Sequence, residues 1–573
     1  MSKLRSALPY LFIFLLAALV LDLGNPLFDK PARDGGFFLY AGSQIISGKI
    51  PYVDFWDSKG PAIFYINALG LFLGQGSRWG VWGVEFVFVF TWLSILYKTL
   101  GRPFSLTPFE NQNSGAFQSR PVNFAAMFGI TLAALGLRIV LGYGNYTEEY
   151  ALLFNALALY LFFVVEENKV WKYFGIGLLF GISFSFRANN IGGLFAVLIA
   201  IALAGFVGNL AKTPNPNHRD TESRRFNGFF LGVSVTQWFK SLFIRLLFVL
   251  AGFAAPLLLW VLFFQIHGAA WEMIFASIIF NFSYASAKSR EWLDIFGGFG
   301  RYGMLWVGWV AALGYVVNGY HVLRKALHRN PLTLADWFLL AWFPFEILLS
   351  NLSGRNFSHY YISWALAVAV YGAALFTSGT GFSLPKSLTA LTTGVRTSFL
   401  YDGMVLFFIV GLLLLSTSSV KRYGETVSRS FSGQSLEYSD PLADAIRLNI
   451  QQDDLVLTWY PETTLNFMAG RASPVKYVYY PLFLEGTLPP GAETSYIEGL
   501  TSRRPEMIVD CSRAVDAIPS LDPAAREDQF SKPGVKKKMY FQPGMEEIFN
   551  FVAENYHMET SVDGCLLFRL NLE

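Results

Sequence analysis

Charge is scarce in this sequence. Asp, Glu, Lys and Arg make up 15% of its 573 residues, against about a quarter in soluble domains. Together with 53% hydrophobic residues and a mean hydropathy of +0.39, that shortage excludes an ordinary soluble globule. Cysteine is almost absent. Cys511 and Cys565 are the two present, too few for a disulfide framework or a zinc site. Each sits in a strand-like run, MIVDCS and GCLLF; a disulfide between them and two buried free thiols are both open. No Gly-rich phosphate loop, nucleophile elbow or internal repeat is found. The net charge of +3 hides an asymmetry. From Lys421 onward, 15 Lys and Arg stand against 22 Asp and Glu, so the body is basic and the tail acidic. Such a split points to two compartments and not to nucleic acid.

What is abundant is long apolar runs, rich in Phe, of a length that crosses a bilayer. They predict eleven spans: 8–24, 79–98, 122–142, 150–165, 171–187, 190–208, 243–266, 301–318, 334–351, 359–378 and 402–418. The first follows Lys3 and Arg5 with no small-residue cleavage site after it, so it reads as a retained helix. A shorter stretch, 61–74, lies between Lys59-Gly60-Pro61 and Gly74 and reads as interfacial or re-entrant. Basic residues gather in the connections 99–121, 166–170, 209–242, 319–333 and 379–401. By the positive-inside rule these connections and the N-terminus are cytoplasmic, which places the tail outside. Segment 209–242 reads as a flexible connector. In the tail, Pro441–Ile450 and Met545–Tyr556 read as helices, and Asp454–Trp459, Met507–Cys511 and Leu566–Leu570 as strands. The expected fold is an α-helical polytopic membrane body, 1–419, with juxtamembrane helices and a small α/β domain, 420–573.

The chemistry-bearing residues lie on the outer side of that topology. The first outer loop carries Asp29, Asp34, Asp54, Asp57, Lys49 and Lys59 among aromatics that include Tyr52. It is either a solvated loop or the floor of a site, since charges at a membrane face are costly unless solvated or paired. Thr147 is placed to cap a helix whose first turn holds Glu148 and Glu149, where the helix dipole favours anions. A cap accounts for one glutamate, and the other is free to face the cavity of Asp34. Arg187, in FSFRANN, is either an anchor at a span end or a contact for an anionic head group. Arg355 and His359, four residues apart beside Tyr360 and Tyr361, form either an aromatic belt or a phosphate site.

Taken in order, these segments resemble the bacterial GT-C superfamily of membrane glycosyltransferases. They are most similar to the family 39 branch, which includes relatives of protein mannosyltransferases and the aminoarabinose transferase of lipid A. The resemblance rests on several matches. Asp34 follows the first helix; Ala41 through Gly48 leads to Pro51, Tyr52 and Asp54; then come Asp57-Ser58-Lys59-Gly60-Pro61, Thr147-Glu148, and Arg355 with His359-Tyr360. It implies transfer of a sugar from a polyprenyl-phosphate donor to a glycan, lipid or protein acceptor at the outer face of a bacterial inner membrane. Asp34 would be the catalytic base. Lys59, Arg355, His359, Tyr360 and Arg187 would hold the lipid phosphate, and Asp57, Tyr52, Glu148 and Glu149 would line the cavity. Two departures stand out: the family's Asp-Glu is Asp34-Gly35, and its Lys-Pro-Pro is Lys59-Gly60-Pro61. A divalent metal is compatible with these residues and not required by them. The competing classes are a transporter or flippase, which calls for repeats and charges along a membrane path, and an O-antigen polymerase or ligase.

Overall fold

The computed structural model of the protein describes residues 2–101, 119–210, 224–286, 292–377, 416–483 and 487–571. Helices dominate the first two thirds. They are α1 (Ser2–Val20), α2 (Arg33–Ile46), α3 (Ala62–Leu73), α4 (Arg78–Leu100), α5 (Ser119–Leu141), α6 (Thr147–Val164), α7 (Val170–Phe186), α8 (Gly192–Leu210) and α9 (Arg224–Ile266), followed by α10 (Ala270–Ile274), α11 (Phe280–Ser286), α12 (Trp306–Leu327), α13 (Leu334–Ser350) and α14 (Ala365–Thr377). A π-helical turn, Phe275–Ile279, joins α10 to α11, and a 3-10 turn, Ser358–Trp364, leads into α14.

Among the described residues, four helical stretches are long and apolar enough to cross a membrane: Arg78–Leu100, Phe124–Leu141, Thr147–Val164 and Lys240–Ile266. Shorter apolar helices accompany them at Ala7–Val20, Ala62–Leu73, Val170–Phe186 and Gly192–Ala204. Their outward faces are apolar. On α12, Trp309, Leu313, Val316, Tyr320, Leu323 and Leu327 are all exposed. They recur at three- and four-residue steps, which puts them on one face. A soluble helix shows the reverse pattern.

Several boundaries differ from expectation. The first outer loop contains a full helix, α2, whose residues Gly35–Gly42 are buried. The connector at 209–242 is helical from Arg224. The span expected at 301–318 begins at Trp306 and runs to Leu327, because residues 300–305 form a turn. The connection 379–401 and most of the eleventh span, 402–418, lie outside the described residues.

The tail opens with helix α15 (416–431). After it come α16 (Pro441–Asn449), β1 (Val456–Thr458), α17 (Thr463–Ala469), α18 (Ala492–Arg503), β2 (Met507–Asp510), α19 (Ser512–Val515), α20 (Pro523–Ser531), α21 (Met545–Asn555), β3 (Tyr556–Val562) and β4 (Cys565–Leu570). The sheet order is β1-β2-β4-β3. β1 and β2 are parallel, and the other pairs are antiparallel. Alternation sends Ile508, Leu566 and Phe568 to one face and Met507, Val509 and Leu567 to the other. β2 and β4 are paired with Asp510 opposite Leu566, so Cys511 meets Cys565, and the two are disulfide-bonded.

The tail does not stand apart from the body. One apolar core contains Phe37, Tyr52, Trp56 and Phe64 from the first outer segment together with Leu457, Trp459, Tyr480 and Phe568 from the tail. Burial of aromatic area on this scale ties the tail to the body.

Candidate active site

Asp34 sits in the first turn of α2, where the positive end of the helix dipole favours an anion. Its side chain is 31% exposed, and the Arg33 guanidinium lies 4.0 Å away. Two supports fix this turn. On the tail side, α17 presses directly onto it. A Cβ added at Gly36 would fall 1.8 Å from Thr464 Oγ1 and 3.0 Å from Thr464 Cα, so only glycine fits. Tyr479 packs on Phe37 with ring centroids 5.4 Å apart. On the side of the helical body, the Asn145 amide nitrogen donates to the Gly35 carbonyl at 3.1 Å and to Asn67 Oδ1 at 2.8 Å. The backbone N–H of Asn145 donates in turn to the buried Glu85 and Glu149 carboxylates.

Lys59 is brought to Asp34 by the turn before α3. Its backbone carbonyl accepts from the Tyr52 hydroxyl at 2.7 Å. Asn281, on α11, donates to the Ser58 carbonyl at 2.9 Å. Gly60 lies so close to α7 that a Cβ would be 2.0 Å from the Ser185 carbonyl oxygen. The Lys59 ammonium is 3.8 Å from Asp57 Oδ1.

Two further cations, Arg187 and Arg355, and the imidazole of His359, whose pKa burial lowers below the ordinary value, come from the ends of α7 and the 3-10 turn. Arg187 pairs with Glu148 and lies over the Tyr360 ring at 4.2 Å. His359 stacks flat on Tyr146, centroids 4.7 Å apart and planes 5° apart. Arg355 lies over Tyr284 at 4.1 Å. Unlike Arg187, it has no carboxylate partner among the described residues, and its Nε is buried without an acceptor. A guanidinium packed on a ring, with a buried donor unused among the described residues, suits an anionic ligand.

The fields of these groups overlap. Burial alone would raise the Asp34 carboxyl, but Lys59, then His359, Arg33 and Arg187, hold it below its ordinary value. Burial alone would lower Lys59; Asp57 and Asp34 outweigh that and raise it. Asp57 is pushed up by burial and then by Asp34, against the pull of Lys59. Glu462, at the start of α17, is likewise raised by burial, with Asp34 adding and Lys30 and Arg33 opposing. The site therefore presents an ionised Asp34 next to a cluster of cations. Opposite charges at such range each favour the charged form of the other.

Of the residues singled out from the sequence, the structure gathers Asp34, Asp57, Lys59, Arg187, His359 and Tyr360 at one end of the helical body, with Arg355 beside them. Three more are buried beside them. Glu148 is 1% exposed and neutralises Arg187. Glu149 is fully buried, and it is Glu149, not Thr147, that caps α6, accepting the backbone N–H of Tyr146. The Thr147 hydroxyl donates to Glu148 instead. Tyr52 is fully buried and acts through the Lys59 carbonyl. Residues missed from the sequence are Arg33, Asn145, Tyr284, and Glu462 and Tyr479 from the tail. The Asp34-Gly35-Gly36 run was a local signal for the close approach of α17; nothing local marks the others. Among the described residues no group of three or more His, Cys, Asp and Glu side chains is arranged to hold a metal ion. No family model matches the chain, and no curated protein matches it significantly.

Proposed function

We propose that the chain is a polytopic membrane glycosyltransferase that takes its sugar from a polyprenyl-phosphate donor and passes it to a hydroxyl of a glycan, lipid or protein acceptor. Its N-terminus is cytoplasmic, and the cleft and tail face outward from a bacterial inner membrane. The observation that carries the reading is the gathering of a partly open Asp34 with Lys59 and Arg187, with Arg355 next to Lys59 across the Tyr284 ring. The disulfide supports the outward placement of the tail, because such bonds persist in oxidising compartments.

In this reading the acceptor oxygen attacks the anomeric carbon and the bond from that carbon to the phosphate oxygen breaks. The acceptor proton passes to an Asp34 carboxylate oxygen, and the polyprenyl phosphate leaves with the bonding electrons. Lys59 and Arg355 offset the charge gathering on the phosphate, and the His359 imidazole donates a hydrogen bond to it. Asp34 is a weak base while cations surround it. When the donor phosphate draws those cations to itself, Asp34 loses its electrostatic partners and its basicity rises toward what general-base work needs. The tail adds Tyr479 and Glu462 beside Asp34 and Arg33, where they would meet the acceptor.

The test is Asp34→Asn in purified protein with membrane-extracted lipid-linked sugars. Loss of transfer by a factor of about 10² or more, with unfolding temperature unchanged, is expected. Retained transfer removes Asp34 from the chemistry. Uptake of sugar into proteoliposomes without a glycosylated product would favour a transporter instead.

A further inference from the structure

A second recess lies at the other end of α7. Its 17 residues extend about 25 Å at 1.5 Å per residue, which separates this recess from Arg187 by nearly the thickness of a hydrocarbon core. The recess is about 320 Å³ in volume and is lined by Glu167, Asn168, Tyr173, Lys240, Ser241 and Arg245. Segments 166–173 and 240–245 carry four cations against two carboxylates. The carboxylates are poorly engaged. Glu167 stands 3.9 Å from Arg245 with over half of its side chain exposed, and Glu166 stands 4.0 Å from Lys169. Arg245 lies near the Tyr173 ring, 5.3 Å from its centroid. That contact orients the guanidinium without neutralising it. Lys172 is committed elsewhere, since its ammonium donates to the Val165 carbonyl at 2.7 Å and is buried. It adds positive potential from behind the recess.

The surroundings indicate what fills this space. Immediately beside the polar lining, α9 presents exposed Phe243, Leu247 and Leu250 in the stretch long and apolar enough to span a membrane. Exposed Trp171 stands at the same level, as indoles do at a membrane interface. A cationic, hydrogen-bonding hollow that opens onto an apolar helix face fits a molecule with a phosphate at one end and acyl chains along the other. Basic pockets between membrane helices take anionic lipid head groups for this reason.

We propose that this recess binds the phosphate of an anionic phospholipid, with Lys240 and Arg245 as the charge partners, Ser241 and Asn168 as hydrogen-bond donors, and the acyl chains along α9. The site is separate from the Asp34 cleft and does not depend on what that cleft does.

The test uses the full chain in mild detergent and native mass spectrometry with phosphatidylglycerol and phosphatidylcholine at equal concentration. Preferential retention of phosphatidylglycerol by about tenfold is expected, falling to no preference in Lys240→Gln/Arg245→Gln. Both substituted side chains are at least partly exposed, and an unchanged unfolding temperature in lipid-free detergent reports that the variant is folded. A single Lys240→Gln, in the more exposed of the two positions, is expected to lose part of the preference. Equal retention of the two lipids, or a preference that survives both substitutions, overturns the proposal. A glycerol 3-phosphate arm separates the sources of phosphate. Displacement of phosphatidylglycerol by millimolar glycerol 3-phosphate would show a site for a soluble phosphate and overturn the lipid assignment; no displacement supports it.

Discussion

Replacing Gly36 by alanine tests whether the tail is clamped onto the turn that carries Asp34. The added Cβ would lie 1.8 Å from Thr464 Oγ1, 2.7 Å from Thr464 Cβ and 3.0 Å from Thr464 Cα. Turning the Thr464 side chain relieves only the first contact. The other two require α17 to retreat by roughly 0.5–1 Å to reach ordinary van der Waals separation. Overpacking of this kind costs about 1–3 kcal/mol. A misplacement of about 1 Å at a reacting centre costs up to 10²-fold in rate. Expected, then, are a fall in sugar transfer of about 5- to 100-fold, a tail that is cut faster by protease, and an unfolding midpoint lowered by several degrees. Thr464→Gly added to Gly36→Ala removes the two side-chain clashes and leaves only the 3.0 Å contact, so most of the loss is recovered. Wild-type transfer and protease pattern in Gly36→Ala would refute the clamp.

The two arginines are expected to separate stability from binding. Arg187→Ala strands the buried Glu148 carboxylate and lowers stability by about 3–5 kcal/mol, read as a fall in unfolding midpoint that Glu148→Gln partly restores. Arg355→Ala, which breaks no ion pair among the described residues, leaves the midpoint near wild type and raises the KM for donor at least tenfold; an unchanged KM contradicts its role. Because its folded value is depressed, Asp34 contributes stability that is fully present above the ordinary 3.8 and is lost as pH falls through the lower folded value. The infrared difference between wild type and Asp34→Asn, without donor, shows no protonated carboxyl band from Asp34 at pH 5; a band there contradicts the cation cluster.

Much of the helical body was legible because lipid and protein interior both select apolar residues, so the long apolar runs mark helices whichever face they turn. The edges were less so. α2 carries Asp34 and two glycines at its start, which read as loop chemistry; it is helical because its Phe37, Phe38 and Tyr40 face a core completed more than 400 residues later by Trp459 and Tyr480. β3 was missed because it is an edge strand with only its first residue buried, so it carries no hydrophobic alternation. Its hairpin signal was present in Asp563-Gly564, whose φ values of 50° and 80° suit the turn that joins β3 to β4. Of the site, the sequence exposed the charged residues that meet at one end of the helical body. It did not distinguish Arg355, which pairs with no carboxylate among the described residues, from Arg187, which is spent on Glu148. Nor did it show Tyr479 and Glu462, whose place depends on the docking of the tail.

A density map of the protein with bound polyprenyl phosphate tests the shared cleft most directly. The phosphate is expected within hydrogen-bonding distance of Lys59 and Arg355, on the same side as Asp34 and beneath Tyr479, with the prenyl chain leaving toward the lipid-facing helices. Phosphate density at the far end of α7, or anywhere out of reach of both Lys59 and Arg355, would contradict the assignment of this cleft as the site of transfer.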